Sequence, residues 1–272
     1  DIRRKLRSEA FPFSCITELG STEFHFSEAV PFLGVSMHAG SKVRKSLEGV
    51  MAVGPQDRYR EEDPYSERFI QHFPIQIIGR DSRFEYDLNW EIEKAIYDHR
   101  WSKWGMKVWN RKLSDAEREQ SLEKFREFHA VLDLVVHYLL DRFKEICLFD
   151  MHTFCYQRDE KGQWWENQKP DINLGTKSIN RIHFSSVIDP LLKELAGHQL
   201  QGRTLRVAEN TLFPGGYLTR KFSRLYPERV LVLALEYKKM FMEEWTGELY
   251  KDSLEVLVSQ FEEAVEKMVA RI

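Results

Sequence analysis

The stretch Ile146-Cys147-Leu148-Phe149-Asp150-Met151-His152 decides how this sequence folds. Ile146 to Phe149 are apolar without interruption, which suits a strand buried on both faces in the middle of a largely parallel sheet. Upstream, Ser114-Asp115-Ala116-Glu117 is a capping-box signature. Leu122, Phe125, Phe128, Leu132, Val135, Val136, Leu139, Leu140 and Phe143 then recur at helical spacing. A helix is therefore predicted from Ser114 to about Lys144, delivering the chain into the buried strand.

The same reading extends in both directions. Phe32 to Met37 forms a short apolar strand running into a tight loop at His38-Ala39-Gly40. Ile75 to Gly79 and Phe84 to Leu88 predict a hairpin around Arg80-Asp81-Ser82. The acids Glu61-Glu62-Asp63 precede a helical stretch from Pro64. Downstream, a helix over Val187 to Ala196 leads to a strand over Thr204 to Ala208. Arg229 to Leu235 is a β-branched and leucine-rich strand with Glu236 at its carboxyl end, and an amphipathic helix closes the chain from near Asp252. Neither a repeat nor a low-complexity linker interrupts this order. The alternation predicts an α/β fold in one domain over residues 1–272, an open mixed but mostly parallel sheet with helices on both faces.

Composition narrows the function classes. Of 272 residues, 42% are hydrophobic and 31% charged, and 40 basic against 43 acidic side chains give a net charge of -3. That balance offers no field for nucleic acid or an anionic membrane surface. Cys15, Cys147 and Cys155 lack C-x-x-C spacing and read as reduced thiols, with Cys147 in the core. The longest apolar runs are too short to span a bilayer and the start carries no secretory pattern, so a cytoplasmic protein is expected. The chain begins at Asp1 and not Met, so a few residues are expected to precede it.

In an open α/β sheet, ligands bind just beyond the carboxyl ends of the strands. His38, His152 and Glu236 each fall at that position on a separate predicted strand. A catalytic zinc takes about three protein ligands, imidazole and carboxylate, and keeps one position open. His38 and His152 supply two. The third should be an acid from the cluster Glu61 to Asp63, with Asp63 favoured and Glu62 the alternative. Asp150, two residues before His152, projects to the same face and is placed to orient its imidazole. Glu236 is then free to act as general base. Arg181 and Arg220, in glycine-containing polar segments, are the candidate clamps for a substrate carboxylate.

Each residue alone also has a structural explanation: a turn, a solvated strand end, an exposed charge run. His129 and His137, within the long helix, read as structural. Gly215-Gly216 lacks a phosphate-loop pattern, and neither G-x-S-x-G nor H-E-x-x-H occurs. Trp101, Trp104, Trp109, Trp164 and Trp165 read as loop anchors, with a role lining a substrate cleft as the alternative.

The segments Met37-His38-Ala39-Gly40, Ser82-Arg83-Phe84 with Asp87-Leu88-Asn89, and Phe149-Asp150-Met151-His152-Thr153 resemble those of the N-formylglutamate amidohydrolase family. So do Asp171-Ile172-Asn173-Leu174-Gly175-Thr176, Phe213-Pro214-Gly215-Gly216-Tyr217-Leu218-Thr219-Arg220 and Ala234-Leu235-Glu236, and all stand in the family's order. The resemblance implies a zinc carboxypeptidase-like fold and a Zn2+ ion held by His38, an acid and His152, with Glu236 as the catalytic glutamate. It points to Asp63 as the acid and puts Asn89 and Arg220 on the substrate side, with Arg181 matched only by neighbourhood. The implied activity is hydrolysis of the amide of a small N-acyl amino acid such as N-formylglutamate. Two departures stand out: Trp90 follows Asp-Leu-Asn where the family ordinarily has Arg, which bears on the substrate, and Asp-Met-His-Thr replaces Asp-Ala-His-Ser. The competing readings are a carboxypeptidase-like metallopeptidase and a catalytically silent binding protein of the same fold.

Overall fold

The computed structural model describes residues 2–98, 102–103, 105–156 and 169–269. Trp101, Trp104, Trp164 and Trp165 lie outside them. Eight strands form one sheet: β1 (Phe13–Ile16), β2 (Thr22–Phe26), β3 (Phe32–Ser36), β4 (Ile75–Gly79), β5 (Ile146–Phe154), β6 (Ile172–Gly175), β7 (Val207–Glu209) and β8 (Val230–Lys238). Their order across the sheet is β1-β2-β4-β3-β5-β8-β6-β7. The pairs β4-β3, β3-β5, β5-β8 and β6-β7 are parallel, and β1-β2, β2-β4 and β8-β6 antiparallel. This is the open, mixed and mostly parallel α/β sheet that the alternation of elements predicts.

β5 is central, and every one of its nine residues is buried, as its uninterrupted apolar run requires. Its side chains alternate between two cores. Ile146 and Leu148 pack with Val230 and Val232 under α2 (Asp115–Leu140) and α4 (Tyr217–Leu225). Cys147, Phe149 and Met151 pack with Leu231, Leu233 and Leu235 under α3 (Ser185–Leu195) and α5 (Lys251–Val269). Helices therefore cover both faces. α2 starts on the expected capping box: Ser114 Oγ accepts from the Glu117 amide at 3.3 Å, and the Glu117 carboxylate accepts from the Ser114 amide at 2.7 Å. It ends at Leu140, a turn before Lys144, where the Arg229 guanidinium donates to the Leu140, Phe143 and Lys144 carbonyls and takes over the end of the helix. Trp109 and Cys147 are core residues.

The structure corrects four local expectations. Phe84 to Leu88 is a buried run of turns and not the second arm of a hairpin. β4 already bonds β2 on one edge and β3 on the other, so neither edge is left for a partner. The helix predicted from Pro64 is a short 3-10 turn, Ser66–Ile70. The acids Glu61 to Asp63 instead close a preceding helix, α1 (Pro55–Glu61). The strand expected over Thr204 to Ala208 begins at Val207, because Arg203–Thr204 pairs locally with Gln199–Leu200. Finally, β5 and β8 continue two residues beyond His152 and Glu236, since their mutual pairing runs on to Lys238 and Phe154. Among the described residues, no helix is long and apolar enough to cross a membrane.

Candidate active site

β3 hands the chain to His38 through Ser36 and Met37, and Gly40 then lets the backbone pass close to Arg80, where a Cβ would lie 2.0 Å from the Arg80 carbonyl carbon. His38 is thereby turned over the carboxyl edge of the sheet. On the two neighbouring strands, His152 and Glu236 are direct register partners and so project from the same face. Asp63 arrives from the end of α1, its amide donating to the His38 carbonyl at 3.0 Å. One ligand atom each of His38, Asp63 and His152 lies within 4.8 Å of the others, and all three residues are buried.

The two rings share one arrangement. The Nδ1 atoms of His38 and His152 lie 3.4 and 3.0 Å from the same oxygen, Asp63 Oδ2. Each Nε2 faces a second buried carboxylate: Asp87 at 2.8 Å for His38, Asp150 at 3.1 Å for His152. A neutral imidazole has a single N–H and can donate to only one of its two carboxylate neighbours. The opposite nitrogen then points a lone pair at an anion, unless a proton or a metal ion sits between them. His38 Nδ1 and Asp63 Oδ1 have no hydrogen-bond partner among the described residues. Asp63, Asp87 and Asp150 are at most 1% exposed, and buried carboxylates are costly without cations. The donor set and its surplus of negative charge fit a divalent metal held by His38 Nδ1, His152 Nδ1 and Asp63.

The electrostatics follow from the same packing. Burial alone would lower the affinity of His152 for a proton, but the Asp150 and Glu236 carboxylates and the hydrogen bond to Asp63 hold its pKa well above the usual imidazole range. Against the opposing effect of burial, the hydrogen bond from His152 and the charges of the His152 and His38 rings hold Asp63 below the usual carboxylate range. Glu236 is pushed up to about 8, chiefly by burial and then by the Asp63 and Asp150 charges, while His152 and Arg83 oppose the rise. A cation among these ligands would favour its ionised form.

Asp63, His152 and Glu236 open on a cavity of about 330 Å3. Trp90, Phe154 and Phe213 contribute aromatic surface to its lining, and Arg220 also lines it, 3.1 Å from Glu91. Asn89, also at the cavity, accepts from the Tyr217 amide at 2.6 Å. Gly216 leaves room for it, since a Cβ there would lie 2.1 Å from Asn89 Oδ1. Buried Asn173 shapes the opposite loop, accepting from the amides of Thr211, Leu212 and Phe213 and donating to the Phe213 carbonyl.

The structure thus brings together His38, Asp63, Asp150, His152 and Glu236, with Asn89 and Arg220 at the same cavity. Arg181 is not brought there: its guanidinium pairs with Glu209 and Asp189, because the loop after β6 turns it toward β7 and α3. Glu62 is turned from the histidines to accept from Ser82 Oγ, and burial pushes its carboxyl up to about 7. Sequence reasoning missed Asp87 and Arg83, which pair with each other at 3.0 Å. Arg83 also lines the cavity, 4.0 Å from Asp63. Both stood in segments carrying the family resemblance, and their i, i+4 spacing of opposite charge was the available signal.

No curated protein matches the sequence. Among solved structures, the chain is similar to the N-formylglutamate amidohydrolase of Ralstonia eutropha JMP134, with a TM-score of 0.75 and 19% identity over 92% of this chain and 97% of that one. It is also similar to a gene product of Agrobacterium tumefaciens, with a TM-score of 0.64 and 16% identity over 91% and 96%. These likenesses show a shared fold. The family model described as N-formylglutamate amidohydrolase matches residues 30–242, and this chain belongs to that amidohydrolase family.

Proposed function

We propose that this protein is a zinc-dependent amidohydrolase that cleaves the amide of an N-acyl amino acid, N-formylglutamate or a relative, to a carboxylate and a free amine. The observation carrying this reading is the convergence of His38, Asp63 and His152 within ligand distance of one another beside Glu236, at the wall of a cavity. When bound there, Zn2+ supplies Lewis acidity that makes a water more acidic and polarises a carbonyl. Asp87 and Asp150 orient the two imidazoles so that each Nδ1 faces the centre. Glu236 takes the proton from the water that attacks the amide carbonyl and returns it to the nitrogen as the C–N bond breaks. Arg83 offsets the negative charge of Asp63 and Asp87. Arg220 and Asn89 hold the amino-acid end of the substrate, and Trp90, Phe154 and Phe213 exclude water from the reacting bond.

The test is release of free amine from N-formyl, N-acetyl and dipeptide substrates by zinc-loaded protein. Release from acyl amino acids is expected, abolished by chelation and restored by zinc. No release from any of them by a protein that holds zinc would refute the reading.

A further inference from the structure

Lys239 follows Glu236 by three residues at the carboxyl end of β8 and is buried, although it lines the same cavity. An ammonium group removed from water needs partners for its three N–H donors. Lys239 Nζ finds the carbonyl oxygen of Arg60, that of Glu62 at 2.6 Å and the sulfur of Cys155 at 3.6 Å. Its donors are spent within the protein, so it has none to offer a substrate.

The partners it chooses lie at one place. Arg60 and Glu62 flank Glu61, the last residue of α1, where helix carbonyls lose their intrahelical partners and a cation is favoured. Cys155, at the end of β5, reinforces the contact by donating its thiol to the Arg60 carbonyl at 2.9 Å. The next residue after Glu62 is Asp63, whose amide is fixed on the other side by the His38 carbonyl. The segment delivering the acid is thus tied to the strand that carries Glu236 and to the strand that carries His152.

We propose that Lys239 is a positioning residue for the metal centre, locking the carboxyl end of α1 to β8 so that Asp63 meets both histidines at a fixed place beside Glu236. The inference rests on the reading that His38, Asp63 and His152 hold zinc.

Zinc affinity, measured by competition with a chromogenic chelator, tests it in wild type, Lys239→Met, Lys239→Gln and Lys238→Met, alongside circular dichroism and melting of the metal-free proteins. Lys238 is the control, because it is also buried but its ammonium pairs with Asp171 at 2.8 Å and not with the Arg60 and Glu62 carbonyls that Lys239 takes. Lys239→Met should weaken zinc binding by about 10- to 100-fold, the usual cost of losing a group that orients a ligand. Lys239→Gln, which keeps two N–H donors, should fall between it and wild type, and Lys238→Met should bind as wild type does. Wild-type affinity in folded Lys239→Met overturns the proposal, as does an equal loss in Lys238→Met. Should Lys239→Met not fold, wild-type affinity in Lys239→Gln overturns it. A wild-type protein that binds no zinc would instead sink the reading of the metal centre itself.

Discussion

Glu236 and His152 are direct partners across the parallel strands β8 and β5, and Glu236 also pairs in register with Asn173 on the antiparallel neighbour β6. The carboxylate proposed as base and an imidazole of the candidate metal cluster therefore sit side by side on paired strands, at the wall of the cavity. Asn173 meanwhile ties the same strand pair to the loop that walls the cavity.

One substitution at each residue distinguishes the two roles proposed for them. Glu236→Gln keeps the shape of the side chain and leaves the metal cluster whole, so zinc content should match wild type while kcat falls by ~10²–10⁴-fold, the usual worth of a general base. His152→Ala should lose the metal itself. Zinc per chain after gel filtration, measured with kcat on the same samples, checks both, and an active Glu236→Gln would remove the role assigned to that carboxylate.

The acids near the histidines differ in what they touch. Asp63→Asn should lose zinc, and Asp87→Asn should weaken it by about 10–100-fold, because His38 would no longer be held with Nδ1 facing inward. Glu62→Gln should retain zinc, since its carboxyl is turned to Ser82. Metal retained in Asp63→Asn and lost in Glu62→Gln would exchange the two assignments.

The cavity contains Arg220, and Arg181 lies elsewhere. If a substrate carboxylate is gripped by Arg220, its replacement by Met should raise KM by about 10- to 100-fold, the cost of a hydrogen bond to a charged group. Arg181→Met should leave KM unchanged. Steady-state kinetics on the best N-acyl amino acid decide this, and an unaltered KM in Arg220→Met would move the clamp to another residue.

His129 gives a stability prediction with a definite sign. It is buried in α2 against Phe125 and Tyr217, with Nε2 3.2 Å from the Leu88 carbonyl. Burial, aided by the Lys221 charge, pushes its pKa down to about 3. An imidazole in the unfolded chain titrates near ~6.5, so between these values the unfolded chain binds a proton that the folded one refuses. Stability from this group is therefore whole above pH ~6.5 and falls on acidification, by up to ~1.4 kcal/mol per pH unit. Melting temperatures of wild type and His129→Gln across pH 7 to 4 should diverge, with wild type losing more; parallel curves would contradict this origin.

Much of this protein was determined by its sequence alone. The apolar runs at β3, β5 and β8, the capped helix α2 and the amphipathic α5 are local patterns. Side-chain alternation and helical spacing state which face is buried before any partner is known. Because those strands are parallel and central, the same patterns put His38, His152 and Glu236 near one edge of the sheet. Only the tertiary structure decided what surrounds them. His38 meets Asp87 across 49 residues and His152 meets Asp63 across 89, distances over which periodicity carries no information. The Phe84 to Leu88 run failed as a strand because both edges of β4 were already occupied by strands whose pairing is not local. Glu62 and Asp63 are neighbours of similar chemistry, and the turn at the end of α1 sends one to Ser82 and the other to the histidines. Arg181 and Arg220 were alike in residue type and setting, with Arg220 alone inside a matching segment, and the fold puts Arg220 on α4 at the cavity while Arg181 pairs with Glu209 and Asp189.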